Sequence, residues 1–253
     1  TKKPVQLKAS VTDQQTNIRE LATRLHDLRN GLRRQDQESQ NRIVIASQHA
    51  ITTSVAPSLI KDLAAHNSLN TQLRSANRDE CYALLMTKQV DLILIHHSQI
   101  DQIPAQDSFF QQYELGQERL IPVCATDELS RIKKEYESGH IPVVAYPSDS
   151  FLGQVIDREV FLPMRPDMAI NKIAETSLTL AILPLALAGI GVAWIPDSLA
   201  VPDLANGKLS ELNDLFPCCE LRVMAIRLQD FESKIEPAVW ETIASYPDRK
   251  GRP

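Results

Sequence analysis

Three junctions where a β-branched run gives way to a helical pattern are loaded with hydroxyl and amide side chains: Ser47-Gln48-His49 followed by Thr52-Thr53, Ser148-Asp149-Ser150-Phe151, and Thr176-Ser177. A helix N-terminus leaves backbone N–H groups unpaired and carries positive dipole potential. A Ser or Thr there either caps the helix or shares those donors with a bound anion. Capping alone accounts for any one such junction. Three of them at the carboxyl ends of strands, where ligands sit in open α/β sheets, predict a site for a small polar or anionic molecule. His49, His96 and His97 stand nearest these junctions. Consecutive strand residues point to opposite faces, so at most one of His96 and His97 faces the ligand; His49 is the favoured contact, with His97, followed by Ser98, behind it at the rim.

Other chemistry finds less support. The cysteines Cys81, Cys124, Cys218 and Cys219 form no CxxC pair and no His/Cys cluster with metal-ligand spacing, so neither a metal nor a disulfide framework is indicated. Cys81 opens a helical stretch whose dipole would lower a thiol pKa, and Cys124 lies in an apolar strand. These two are the redox candidates, while Cys218-Cys219 admits only a strained vicinal bridge. There is no GxSxG elbow, P-loop or HExxH, so no catalytic residue and no cofactor is assigned.

The junctions need elements to hold them. From Asn41 onward short β-branched runs alternate with helical patterns, which predicts an α/β fold with a mainly parallel sheet. Strands are expected at 42–47, 69–75 and 90–96, with helices at 52–66 and 79–87 between them; Val-Asp-Leu-Ile-Leu-Ile-His, at 90–96, is apolar enough to be buried. A second unit starts near Arg119, with strands at 120–125, 141–146, 168–173 and 192–195, helices at 128–137 and 177–187, and a helix or turn at 150–161. Pro184 is the weak point of the 177–187 helix. A last strand at 221–228 and a last helix at 231–246 complete the pattern, the helix folding back on the first unit. The chain then crosses twice between two lobes, near 114–119 and near 219–227, leaving a cleft suited to a small molecule.

Ahead of this lies a different texture. Val11, Ile18, Leu21, Leu25, Leu28 and Leu32 fall on an a/d heptad seam, which predicts a helix that pairs with a second copy. Residues 1–36 carry a charge balance of +4 within a chain of net charge −5, so the body is acidic and is not itself a nucleic-acid surface. With 43% hydrophobic residues, no apolar run long enough to cross a bilayer and no signal-peptide pattern at the first residues, the chain is expected to be a cytoplasmic globular protein.

Ala188-Gly189-Ile190-Gly191-Val192-Ala193-Trp194-Ile195-Pro196, followed by Asn206-Gly207-Lys208-Leu209, resembles the signature of LysR-type regulatory domains. Val90-Asp91-Leu92 is similar to that family's third strand, Ile121-Pro122-Val123-Cys124 to the strand opening its second lobe, and Val5-Gln6-Leu7 to the end of its winged-helix domain. The resemblance spans essentially the whole chain. It implies two Rossmann-like lobes of the periplasmic-binding-protein type behind a coiled-coil linker helix: 1–10 as a winged-helix remnant, 11–38 as the dimerising helix, 41–118 with 226–253 as lobe I, and 119–225 as lobe II. It further implies a transcription regulator, not an enzyme, working as a homodimer or homotetramer and meeting promoter DNA through a preceding domain. The expected effector contacts are Ser47, Gln48, His49, Thr52, Thr53, His97, Ser98, Ser148, Ser150, Phe151, Thr176, Ser177 and Ile190. The segments 121–128 and 191–196 look most like the hypochlorite-responsive subgroup of the family. Leu178, however, stands where a sensing methionine is expected, and Met86, Met164, Met168 and Met224 are the chain's methionines, so methionine-based oxidant sensing is not carried over. Two alternatives stay open, a thiol- or methionine-based redox sensor and the solute-binding protein of a transporter; the heptad helix argues against the second.

Overall fold

The computed structural model describes residues 42–66, 69–98, 101, 109–164, 166–229 and 237–246. The dimerising helix expected at 11–38, with the segment before it, lies outside the described residues. So do residues 231–236 of the expected last helix. Among the described residues the strands are β1 Arg42–Gln48, β2 Asn70–Ala76, β3 Leu92–Ser98, β4 Phe110–Ala125, β5 His140–Ala145, β6 Ala169–Glu175, β7 Val192–Pro196, β8 Leu209–Glu211 and β9 Cys219–Leu228. The α-helices are α1 His49–Ser54, α2 Ala56–His66, α3 Arg78–Met86, α4 Leu129–Glu137, α5 Phe151–Ile156, α6 Thr179–Leu187, α7 Asp197–Ala205 and α8 Pro237–Ala244. The strands join in the order β2-β1-β3-β9-β4-β7-β5-β6, with β8 also on β4.

The β1–β3, β5–β6 and β5–β7 pairs are parallel, as βαβ alternation requires. The expected crossing segments are one antiparallel pair: β4 runs beside β9 from Phe110 opposite Leu228 to Leu120 opposite Cys219, with a bulge between Glu114 and Gly116. Farther along, β4 pairs with β7 and β8. In β3, Leu92 and Leu94 pack into one core with Ile43, Ile45, Leu59 and Trp240, while Ile93 and Ile95 face a second core with Cys81, Leu85 and Ile226. Alternation therefore puts His96 on the α1/α2 side and His97 on the α3 side. The Asp91 carboxylate accepts the Val44 N–H at 2.8 Å, tying β1 to β3. A third core fills the second half around Trp194, whose indole N–H donates to the Pro217 carbonyl at 3.0 Å and whose ring meets Phe161 and Phe216 edge-on.

Several boundaries differ from expectation for local reasons. The single helix expected at 52–66 is broken at Val55. Thr52 and Thr53 hydroxyls bond back to the Gln48 and Ala50 carbonyls, and Pro57 lacks the N–H that would continue the ladder, so the run becomes α1 and α2. The 150–161 stretch is α5 followed by a π-turn, Asp157–Phe161, closed by Leu162 N–H to the Asp157 carbonyl at 2.9 Å. Helix α7, containing Pro202, and the three-residue β8 were not expected at all. The Gly189-Ile190-Gly191 motif is structural: Gly189 has φ +75° just past α6, and a Cβ on Gly191 would lie 2.5 Å from the Pro142 carbonyl oxygen.

Candidate functional site

A cleft of about 570 Å³ opens at the carboxyl ends of β1, β2, β3, β5 and β6, within the size range of small-molecule sites. One wall comes from Gln48, His49 and His96 together with Asn77, Arg78, Asp79 and Glu80 at the start of α3; the other comes from Tyr146, Asp149, Ser150, Phe151, Ser177 and Thr179. His96 is 1% exposed. Its backbone N–H donates to Gln48 Oε1 at 2.5 Å, and its Nε2 lies 2.5 Å from Glu118 Oε2. The other Glu118 oxygen accepts the Ser198 hydroxyl. Burial pushes the Glu118 carboxyl up, but the hydrogen bond and charge of His96 and the hydrogen bonds of Ser198 outweigh it and hold the group below the usual carboxylate range. His96 Nδ1 is buried with no hydrogen-bond partner among the described residues.

Arg78 spans the cleft. Its guanidinium is 3.1 Å from both Asp101 oxygens and sits 4.1 Å from the centre of the Phe151 ring on the opposite wall. Asp79, Glu80 and Asp149 stand exposed at the rim, so the lining is not simply cationic. Burial raises the Tyr146 phenol well above its ordinary pKa against the opposing effect of the Thr179 side chain, keeping it a neutral donor.

Of the expected contacts, Gln48, His49, Ser150, Phe151 and Ser177 line the cleft. Ser150 also caps α5, accepting the Gly153 N–H at 3.2 Å. The rest are engaged elsewhere or turned away. Ser47 is fully buried and bonds to the Gln48 carbonyl, Thr52 and Thr53 back-bond to their own helix, and Ser148 takes a bond from Lys172 at 3.2 Å. Thr176 caps the Leu178 N–H, Ser98 is buried with its N–H on Asp101, and Ile190 packs on the second-half core. His97 is not the rim contact, because β3 alternation gives that place to His96. Arg78, Tyr146 and the Asn77–Glu80 corner were missed, although the last is a strand-to-helix junction of the kind sought.

His97 is buried against α3, its Nε2 3.2 Å from the Tyr82 hydroxyl. Burial, with the charge of Arg78 next, lowers its pKa from 6.5 to about 4. The unfolded chain therefore binds a proton at this residue that the folded chain refuses between those two values, and stability falls as pH falls across that window. Melting temperature is expected to drop between pH 7 and 5 more steeply in the wild type than in His97→Gln; equal slopes would remove His97 from the acid response.

Three of the thiols, Cys81, Cys124 and Cys219, are buried and held in the protonated form. Cys81 and Cys124 are free and buried, and burial pushes them up to about 12 and about 11, which for Cys81 overrides the dipole lowering expected at a helix start. Cys218 and Cys219 are also unbridged, and burial followed by the charge of Glu159 takes Cys219 to about 12.

Two rows of polar side chains facing one another across a mixed sheet, with two long strands crossing between the halves, define a two-lobed ligand-binding domain. The LysR substrate binding domain model matches residues 36–245, and the chain belongs to that family. It is therefore the effector-binding part of a LysR-type transcription regulator, a family of oligomeric DNA-binding proteins governed by small molecules and not of enzymes. The HTH-type transcriptional regulator YjiE of Escherichia coli K12 is 25% identical over 226 residues, 89% of this chain and 71% of that protein. Full-length HypT from Salmonella typhimurium, a hypochlorite-specific LysR-type regulator, superposes with a TM-score of 0.70 at 21% identity over 95% of this chain and 79% of that one. Vibrio fischeri DarR in complex with DNA superposes with a TM-score of 0.65 at 22% identity over 97% and 82%. No helix among the described residues is long and apolar enough to cross a membrane.

Proposed function

We propose that the cleft is the effector site and that it takes a small polar molecule with a carboxylate or carbonyl set against His96 and Arg78 and donor groups set against the rim acids. The observation that carries this reading is His96 Nδ1. A buried polar atom without a partner costs about 1–3 kcal/mol, and here it belongs to a residue lining an open cleft, where a ligand supplies the partner. With Glu118 holding Nε2, the ring offers Nδ1 as an acceptor when neutral and as a donor when charged. Gln48, His49 and Arg78 come from one half and Ser150, Phe151 and Ser177 from the other, so a ligand touching both rows favours one angle between them, and shifts the assembly by the difference in its affinity for the two arrangements. In this reading residues 11–38 pair two copies, contacts between regulatory domains complete a homotetramer, and the protein acts on promoter DNA in the cytoplasm. The likeness to HypT makes oxidant-derived species one class worth testing.

The test is thermal unfolding of the reduced chain against small carboxylates, amino acids and sugar acids, with and without dilute hypochlorite. A compound that raises the melting temperature is expected to lose about tenfold or more in affinity in Arg78→Met and in Gln48→Ala, since hydrogen bonds to charged groups contribute about 1.5–3 kcal/mol. Unchanged affinity in both variants places its site elsewhere. If hypochlorite alone changes the melting temperature and a reductant restores it, the chain is a redox sensor and the cleft reading fails.

A further inference from the structure

We infer that the effector is a polyhydroxy acid, and that the cleft holds a niche for one of its hydroxyl groups at Tyr146 and His96. This rests on the cleft being the effector site and narrows what enters it. His96 lies near the end of β3 and Tyr146 directly follows β5, so they come from different halves of the sheet, and both line the cleft. Glu118 ties them together, since it holds His96 Nε2 and its charge acts on the Tyr146 phenol. The two residues are 1% and 3% exposed, yet His96 Nδ1 and the Tyr146 hydroxyl have no hydrogen-bond partner among the described residues. Buried polar atoms are nearly always paired, so two orphans lining one cavity mark where a bound molecule supplies the partners. The neighbours do not meet that need. Gln48 Oε1 is taken by the His96 backbone N–H, and the Glu118 oxygens by His96 Nε2 and Ser198. The Thr179 side chain lowers the phenol pKa, which is the effect of a donor facing the phenol oxygen and leaves the phenol proton unused.

The two atoms define what pairs with both. Burial keeps the phenol protonated, so Tyr146 gives a proton. Glu118 is an ionised carboxylate that only accepts, so His96 Nε2 carries a proton; Nδ1 then accepts when the ring is neutral and donates when it is charged. A hydroxyl meets either case. One lone pair takes the Tyr146 proton, and toward His96 the group turns its own proton or its second lone pair. A carboxylate or carbonyl oxygen has no proton for a neutral Nδ1, an ammonium has no lone pair for the phenol, and an unsubstituted carbon chain leaves both atoms unpaired. Beyond the niche the acid group of the ligand keeps to Arg78, while Asp79, Glu80 and Asp149 at the rim accept from further hydroxyls. An acid group at one end with hydroxyls along the chain is the pattern of a sugar acid.

Isothermal titration of the reduced chain with matched compounds tests the niche. D-Gluconate and D-galactonate are compared with hexanoate, and L-lactate with propionate and L-alanine, which carry hydrogen and ammonium in place of its hydroxyl. At least one hydroxy acid is expected to bind, and at least about tenfold more tightly than its unsubstituted parent, because a site built to hydrogen-bond a hydroxyl rejects the analogue that lacks it. Tyr146→Phe deletes a group that is unpaired in the free protein, so its melting temperature is expected at or above that of the wild type. The same variant is expected to weaken the hydroxy acid about tenfold and to leave the parent acid unchanged, a ratio that a purely structural tyrosine would not move. The inference is overturned if no hydroxy acid gives heat at millimolar concentration, if a parent acid or L-alanine binds as tightly, or if Tyr146→Phe keeps the preference. A carboxylate that binds regardless of its hydroxyls and is lost in Arg78→Met removes the niche and leaves the cleft as the effector site. A hydroxy acid that binds alike in wild type, Arg78→Met, Gln48→Ala and Tyr146→Phe overturns both.

Discussion

Replacing Glu118 by alanine is expected to lower the unfolding free energy by about 3–5 kcal/mol, because it breaks a buried ion pair from one side. Glu118 is 5% exposed and His96 1%, and the carboxylate holds both His96 Nε2 and the Ser198 hydroxyl. Without it, neither nitrogen of a buried imidazole has a side-chain partner, since Nδ1 already has none. Glu118→Gln keeps the shape and one bond to each neighbour, so a smaller loss is expected there. The double variant Glu118→Leu/His96→Leu should recover much of the loss, because replacing both partners removes the desolvation penalty together with the attraction. Chemical denaturation of the wild type, Glu118→Leu, His96→Leu and the double variant measures the coupling as a double-mutant cycle. If Glu118→Ala costs under about 1 kcal/mol, the pair is not holding the cleft wall.

The same group sets a second acid window, distinct from that of His97. Its folded pKa is depressed, so its contribution is fully present above the unfolded carboxylate value of about 4.3 and is lost as pH falls below that toward the folded value. His97 acts higher, from 6.5 down to about 4. Loss of stability on acidification therefore begins with a histidine that must stay neutral and continues with a carboxylate that must stay charged.

What was legible in the sequence was what depends on local pattern. The alternation of β-branched runs with helical ones located β1, β3, β5 and β7 to within a residue or two, because apolar periodicity is itself the cause of their burial. The hydroxyl-rich junctions fall at the end of the sheet where the cleft opens; five of the residues expected to line it do so and the others are turned elsewhere. A Thr or Ser beside a helix start has a near carbonyl available, and Thr52, Thr53 and Thr176 are spent on such bonds. The residues that were missed take their roles from distant partners. Arg78 matters through Asp101 and Phe151, and His96 through Gln48 and Glu118, separations that no local window contains. His96 and His97 differ in which face of β3 they occupy, and that face is set by parity with Leu92 and Leu94 and the core they enter, which sequence alone does not identify.

Gly153→Ala is expected to destabilise the chain by about 3 kcal/mol, at the upper end of what one added carbon usually does, because the backbone leaves no room for it. Gly153 lies in α5, and a Cβ there would sit 2.0 Å from the Pro147 carbonyl oxygen and 3.0 Å from the Ser150 hydroxyl. Neither contact is the free end of a flexible side chain: Ser150 is fixed between the Gly153 N–H and the Pro147 carbonyl. Relief requires α5 to move away from the turn that follows β5. That movement carries Phe151 from its place under the Arg78 guanidinium and opens the contact across the cleft. The variant should therefore lose effector affinity along with stability, whereas Gln154→Ala, one residue on and exposed, should stay within about 0.5 kcal/mol of wild type. Denaturant unfolding of both variants, with effector titration on whatever remains folded, checks the pair of claims. A Gly153→Ala protein of wild-type stability would mean that the close approach of α5 to Pro147 is not a feature of the folded chain, and the wall built on it would have to be redrawn.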